Sequence, residues 1–305
     1  VKVDVGGNLT LEPTASLVQI NNTTNTGNIK AKVNTKPVRR YDYTYWSTPV
    51  AGKLLQNLSP FTLSDKYFSW NASSQGWLLH PSGNVTMQNA KGYIVRAPQT
   101  YSITAPSVYA TEFNGVPNNG TISINVLGNA SPVEANFQWN LIGNPYPSAV
   151  NANLFLSDLG NASAISGTIY LWTHNTTPST YVIGTGVYNY STYDYAAYNR
   201  TGGVGVAAID DPNDPNPSNN FNGTVPTGFI ASGQAFFVRG LANLPVQFTN
   251  TMRVKGNNNE FFRTSQQEPE RNRFWLNMSD HEGAFSQMLV GYVEGATNGL
   301  DQGFD

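Results

Sequence analysis

Trp139-Asn140-Leu141-Ile142-Gly143-Asn144-Pro145-Tyr146-Pro147-Ser148-Ala149-Val150 decides how the chain is parsed, because Tyr45-Trp46-Ser47-Thr48-Pro49-Val50 repeats its outline 96 residues earlier (145 − 49). In both, aromatic and aliphatic residues run into a small polar pair and then proline. This is the pattern of a buried strand stopped by a residue that cannot donate to a ladder. Further matches follow in the same order. Tyr170-Leu171-Trp172 answers Phe68-Ser69-Trp70, Ala235 to Gly240 answers Gly92 to Ala97, and Val246-Gln247-Phe248 answers the strand near Phe113. The shared order points to a duplication, with an insertion at 173–232 that only the second copy carries.

Working outward, the text is all-β. Tyr41, Tyr43 and Tyr45 alternate with polar residues, Thr121 to Val126 alternates cleanly, and turn signals stand at Asn71, Ser82-Gly83 and Pro117-Asn118-Asn119-Gly120. We expect two related antiparallel β-sandwich-like modules, 41–135 and 136–256, with flanking strands. Residues 1–40 read as N-terminal strands and a linker, either the end of a β-solenoid or edge strands of the following sheet. The basic residues there, Lys30, Lys32, Lys36, Arg39 and Arg40, are expected on a solvated strand face. Residues 257–305 read as the start of a third β unit. It has two strands, Phe274 to Met278 and Met288 to Val293, which need a neighbour to be stable.

Composition bounds the function. Of 305 residues only 12% are charged, the net charge is −2, and cysteine is absent. The surface offers no field for nucleic acid or anionic membrane, and disulfides and thiolate metal sites are excluded. No apolar run approaches the roughly 20 residues of a membrane-spanning helix. His80, His174 and His281 stand isolated, and neither a Gly-x-Ser-x-Gly elbow nor a phosphate cradle is present. Glu112, Glu134, Glu260 and Glu282 stand singly, so a glycosidase pair is a minor reading beside a non-enzymatic one.

Two stretches of the insertion are candidate sites. Asp210, Asp211, Asn213, Asp214 and Asn216 cluster hard oxygen ligands between prolines, a chemistry suited to calcium although the spacing is not that of an EF-hand; Asp301 and Asp305 form a weaker candidate. Tyr188, Tyr190, Tyr193, Tyr195 and Tyr198 would suit a sugar-stacking or protein-binding face if exposed, and a packed sheet if not.

Several phrases carry a resemblance: Tyr43 to Val50, Gly92 to Pro98, Asn140 to Pro147, and Gly283-Ala284-Phe285 through Ala296-Thr297-Asn298-Gly299. The chain resembles the region before the C-terminal sorting domain in large Bacteroidota surface proteins exported by the type IX secretion system, among them adhesins and gliding-associated cargo. That resemblance implies an extracellular, cell-surface β protein, with the secretion and attachment machinery as partners and a sorting domain beyond Asp305. It carries no catalytic residues. The expected function is a structural or adhesive module, with a carbohydrate-binding module of a secreted enzyme as the alternative.

Overall fold

The computed structural model describes residues 1–4, 7–131, 133–178, 188–206, 225–258, 272–279, 285–293, 296–297 and 299–304. Within them the chain is all-β, mostly antiparallel, with two short α-helices.

The first half is a small sandwich. After β1 (Thr10–Leu11), strand β2 (Ile29–Val38) buries Ile29, Ala31 and Val33 and turns Lys30 and Lys32 to solvent, whereas Lys36, Arg39 and Arg40 are half-buried and Arg39 and Arg40 follow the strand. Strands β3 (Tyr43–Trp46), β4 (Tyr67–Asn71), β5 (Gly76–Leu79) and β6 (Tyr93–Arg96) form a sheet in the order β3-β6-β4-β5, and β7 (Ser107–Gly115) pairs with β2. The two sheets close over Ile29, Trp46, Tyr67, Tyr93, Val95 and Phe113.

In the second half, β8 (Ile122–Asn125), β9 (Gln138–Gly143) and β10 (Ala149–Asn151) lead into helices α1 (Ala152–Ser157) and α2 (Leu159–Ala164). The side chains of Asn151 and Asp158 cap them by accepting first-turn N–H groups. Then follow β11 (Ile165–Trp172), β12 (Tyr195–Tyr198), β13 (Gly203–Val204), β14 (Phe229–Ile230), β15 (Ala235–Gly240) and β16 (Pro245–Phe248), with sheet order β9-β15-β11-β12-β13 and β8 paired to β16. β17 (Arg253–Val254) and β14 flank β10.

The order β3-β6-β4-β5 reappears as β9-β15-β11-β12, and the register reappears with it. Tyr43↔Arg96 through Trp46↔Tyr93 correspond to Trp139↔Arg239 through Ile142↔Phe236, with offsets of 96 (139 − 43) and 143 (239 − 96). Phe68↔Ile94 corresponds likewise to Tyr170↔Phe237, and Trp70↔Trp77 to Trp172↔Tyr195.

The halves meet as isologous partners do, each contact answered by its mirror. An isolated bridge joins Trp46 to Gln234, and its equivalent joins Ile142 to Lys91. Ser47 N–H donates to Gly233 O at 2.7 Å, and Gly143 N–H donates to Ala90 O at 2.9 Å. Between the two sheets lies a shared layer of Tyr45, Ile94, Leu141, Trp172, Ala235 and Phe237, rimmed by Tyr43, Phe68, Trp70, Trp139, Tyr170 and Tyr195. Period-two alternation makes this possible, because each strand sends one face to its own core and the other across the axis. Arg96 lies over Tyr41 at 5.5 Å, and its equivalent Arg239 lies over Phe137 at 3.5 Å.

Hydrogen bonding moves the boundaries expected from sequence. β8 does not close the first module but pairs with β16 and opens the second half, as β2 pairs with β7 and opens the first. Among the described residues the N-terminal segment closes no solenoid rung: Thr10 and Leu11 pair in parallel with Lys30 and Ala31 and extend the edge of the first sandwich. The last two strands, β18 (Arg273–Ser279) and β19 (Phe285–Gly291), pair with each other and dock on the second half. There Trp275 Nε1 donates to Gly203 O at 3.0 Å and Gly205 N–H to Gln287 Oε1 at 3.0 Å.

Candidate functional site at the insertion

The duplication shows where to look, because the halves differ in the connection that joins β4 to β5 and, equivalently, β11 to β12. In the first half that connection is the turn Ala72 to Gln75; in the second it is the insertion from Thr173 to Asp194. Both connections reach across the pseudo-axis to the same place on the other half.

The short turn makes a neutral contact. Gln75 Oε1 accepts from Trp139 N–H at 2.9 Å, and its Nε2 donates to Trp139 O at 3.1 Å and to Gln138 Oε1 at 3.3 Å. The amide thus mimics a neighbouring strand along β9.

The insertion makes a titratable contact instead. Asp194 ties its two ends together: Thr173 N–H and Oγ1–H both donate to Asp194 O at 2.9 Å, and Thr176 donates through N–H at 2.9 Å and Oγ1–H at 2.7 Å to the carboxylate. His174, at φ 44°, sits in the left-handed region that His tolerates better than most side chains. Its Nδ1 lies 3.8 Å from Oδ2 of Asp42, the residue equivalent to Gln138. Asp42 Oδ2 accepts from Arg39 N–H at 2.7 Å, while Oδ1 has no hydrogen-bond partner among the described residues. Beside them is a cavity of about 10 Å³, lined in part by Lys36, Tyr45, Trp172 and His174, with room for one water.

Burial sets the electrostatics. It pushes the Asp42 carboxyl up to about 6 against the opposing bond from Arg39, and the Asp194 carboxyl up to about 7 against its bonds from Thr176, with the Asp42 charge adding to the rise. Burial, with Lys36 adding, pushes His174 down to about 4. Such groups take up and release protons within a packed junction. At 3.8 Å the Asp42–His174 contact is longer than the hydrogen bond that holds a catalytic base in place.

The tyrosines expected to form a binding face do not share one surface. Tyr195 meets Tyr45 hydroxyl to hydroxyl at 2.6 Å inside the aromatic layer, and Tyr198 is buried with its hydroxyl donating to Asn153 Oδ1 at 3.1 Å. Tyr188 stacks on Tyr41 at 5.1 Å, and Tyr190 packs edge-on to Tyr43 at 5.4 Å while donating to Tyr41 O. Tyr193 projects outward, 75% exposed. Asp301 accepts from Thr297 N–H at 2.6 Å and Oγ1–H at 2.8 Å, as a turn residue does. Asp210, Asp211, Asn213, Asp214, Asn216 and Asp305 lie outside the described residues, as do Glu260, His281 and Glu282. Among the described residues no three His, Cys, Asp or Glu side chains converge on a possible metal position.

In the sequence His174 reads as an isolated histidine, and Asp42 and Asp194 are not among the candidate residues. Asp42 carried a usable signal, a carboxylate inside the alternating Tyr41-Asp42-Tyr43 strand. The repeat itself aligned it with the neutral Gln138.

The chain belongs to the family described as a domain of unknown function, DUF8693, which matches residues 1–305. No curated protein and no solved structure matches it.

Proposed function

We propose that this chain is a non-enzymatic structural module of a secreted, surface-attached bacterial protein, in which two duplicated sandwiches are locked into one stiff unit. The observation that carries this reading is the shared aromatic layer, to which both halves contribute equivalent positions. Well-formed aromatic pairs add about 0.5–1.5 kcal/mol each beyond the area they bury, so the layer resists separation of the halves. The insertion supports the same reading: Tyr188, Tyr190 and Tyr195 spend their rings on the first half. The resemblance of the strand-end phrases to type IX cargo supports a position outside the cell, near an attachment point.

Calorimetry tests the mechanical part. One transition, with equal calorimetric and van't Hoff enthalpies, is expected of a single unit, whereas two separable transitions would overturn it. Protease treatment of intact cells tests the location. Peptides of this chain should be released from the surface, and recovery only after lysis would place it inside.

A further inference from the structure

The pseudo-twofold exposes an edge that one half covers and the other leaves bare. In the second half β12 is not the last strand of its sheet: β13 pairs with it, Ala197 opposite Val204 and Tyr198 opposite Gly203. The first-half equivalents of Ala197 and Tyr198 are Leu79 and His80, by the offset of 118 that relates Trp77 to Tyr195 (195 − 77). Nothing in the described residues pairs there, and β5 ends its sheet.

The free edge has a definite pattern. His80 N–H donates to Tyr67 O at 2.8 Å, so the alternation of an antiparallel ladder turns the N–H and C=O groups of Trp77 and Leu79 outward. Edge strands are ordinarily blunted by charge, proline or a bulge. β5 reads Gly-Trp-Leu-Leu, with Trp77, Leu78 and Leu79 exposed by 40%, 47% and 41%, and the first proline comes after the open positions, at Pro81.

We infer that β5 is the edge through which two copies of this chain pair, antiparallel, about a twofold axis through Leu78. Three observations favour a second copy over a foreign strand. The pattern is self-complementary: with Leu78 opposite Leu78, the outward groups of Trp77 meet those of Leu79 twice, forming about four backbone hydrogen bonds. The strand is uncharged, so identical edges approach without the like-charge repulsion that keeps most edges apart. The pairing also continues an interface already built, because Trp77 packs against Tyr45, Trp70 and Phe237 and would carry the inner aromatic layer into the second copy.

Sedimentation velocity on the full chain from about 10 µM to about 0.5 mM tests this, for a contact of roughly 0.1 mM affinity. A dimer should grow with concentration. Leu78→Lys, which sets two like charges on the axis, and Leu79→Pro, which removes an outward N–H, should each weaken it at least about tenfold. Unchanged circular dichroism and Tm of Leu78→Lys would show that the fold survives. In the dimer, amide exchange at Trp77 and Leu79 should slow. A monomer throughout the range would overturn the inference, as would a dimer indifferent to both variants. A wild-type chain that stays monomeric but captures an unrelated extended peptide at β5 would assign the edge to a foreign strand and overturn self-pairing.

Discussion

The two halves solve the same packing problem with different chemistry at corresponding places. In the first, Gln75 reaches over the axis and satisfies the edge of β9 with a neutral amide. In the second, the insertion reaches back over the axis and sets His174 and Asp194 around Asp42. Trp70 Nε1 donates to Trp139 O at 2.8 Å, whereas its equivalent Trp172 Nε1 is buried without a partner among the described residues. One side of the junction makes its contact through the neutral Gln75 amide, and Arg239 Nε is its buried polar atom without a partner among the described residues. The other has lower polar satisfaction and carries buried groups that titrate, so any response to pH should enter from that side.

The strongest way to break the comparison is to overfill the axis. Equivalent residues face each other there, and one of each pair is glycine: Ser47 faces Gly143, and Gly92 faces Ala235. A Cβ on Gly143 would stand 2.6 Å from Ser47 Cβ and 2.7 Å from Gln234 O. Gly143→Ser should therefore destabilise by about 3 kcal/mol in urea titration. Adding Ser47→Gly removes the side-chain part of that clash and leaves the carbonyl part, so the double variant should recover about half of the loss. Strict additivity of the two changes would mean that the positions do not share an axis.

The next effect sharpens the contrast between the neutral and titratable sides. Asp42 and Asp194 have folded pKa values of about 6 and about 7, raised from 3.8, so each holds a proton in the folded chain that the unfolded chain has released. Their protonated forms favour folding below those values, and that advantage is lost as pH rises through them. His174 acts oppositely: lowered from 6.5 to about 4, it is neutral when folded and charged when unfolded across the interval between. Two raised carboxyls against one depressed imidazole leave about one extra proton on the folded state from pH 4 to 6, worth roughly 1.4 kcal/mol per pH unit. Stability measured from pH 5 to pH 8 should fall, and in Asp194→Asn, where one raised carboxyl is left against the depressed imidazole, the fall should disappear. A wild-type profile that rises over that range would remove the buried carboxyls from the account.

How much of this was legible in the sequence follows from where the physics is local. Strand faces are local, so Tyr43, Tyr45, Phe68, Trp70, Tyr170 and Trp172 could be read as one kind of residue, and the duplication followed from their order. The Asn-Pro corner was legible too: Asn144 Nδ2 donates to Ser148, Ile230 and Ala231 carbonyls and its Oδ1 accepts from Tyr146, which is corner chemistry. Strand pairing is not local. Thr121 to Val126 alternates the same way whether it closes one sandwich or opens the next, and only the partner Pro245–Phe248 decides. Helices α1 and α2 were missed because six residues each are too few for a 3.6-residue period to show. The buried junction was missed because His174, Asp42 and Asp194 are unremarkable singly, and 132 residues separate Asp42 from His174 (174 − 42).

A third measurement removes the neutral contact itself. Gln75→Ala strips the partners from Trp139 N–H and leaves its carbonyl to Trp70 alone, at a cost of about 2 kcal/mol. The loss should be the same at pH 5 and pH 8, since nothing titratable takes part. A loss that changes with pH would mean that the two sides of the junction communicate.

The smallest effect compares one backbone position across the axis. Ala90 and Gly233 are equivalent by the 143 offset (233 − 90), and both lie in the left-handed region, at φ 61° and 74°. Gly233 is free of strain there, and a Cβ would meet Phe113 at 3.0 Å. Gly233→Ala should therefore cost about 1.5 kcal/mol, roughly 1 from the backbone and the remainder from the ring. Ala90 already bears the backbone strain, and its methyl is fully buried in the core of the second half. In Ala90→Gly the relief of strain, about 1 kcal/mol, is offset by the lost methyl burial of about 0.8 kcal/mol and by the greater freedom of glycine in the unfolded chain. The result should lie within about 0.5 kcal/mol of wild type. If the two substitutions had equal effects, the shared conformation at 90 and 233 would not be what relates them, and the bridge from Ser47 N–H to Gly233 O would lose its mirror at Gly143 and Ala90.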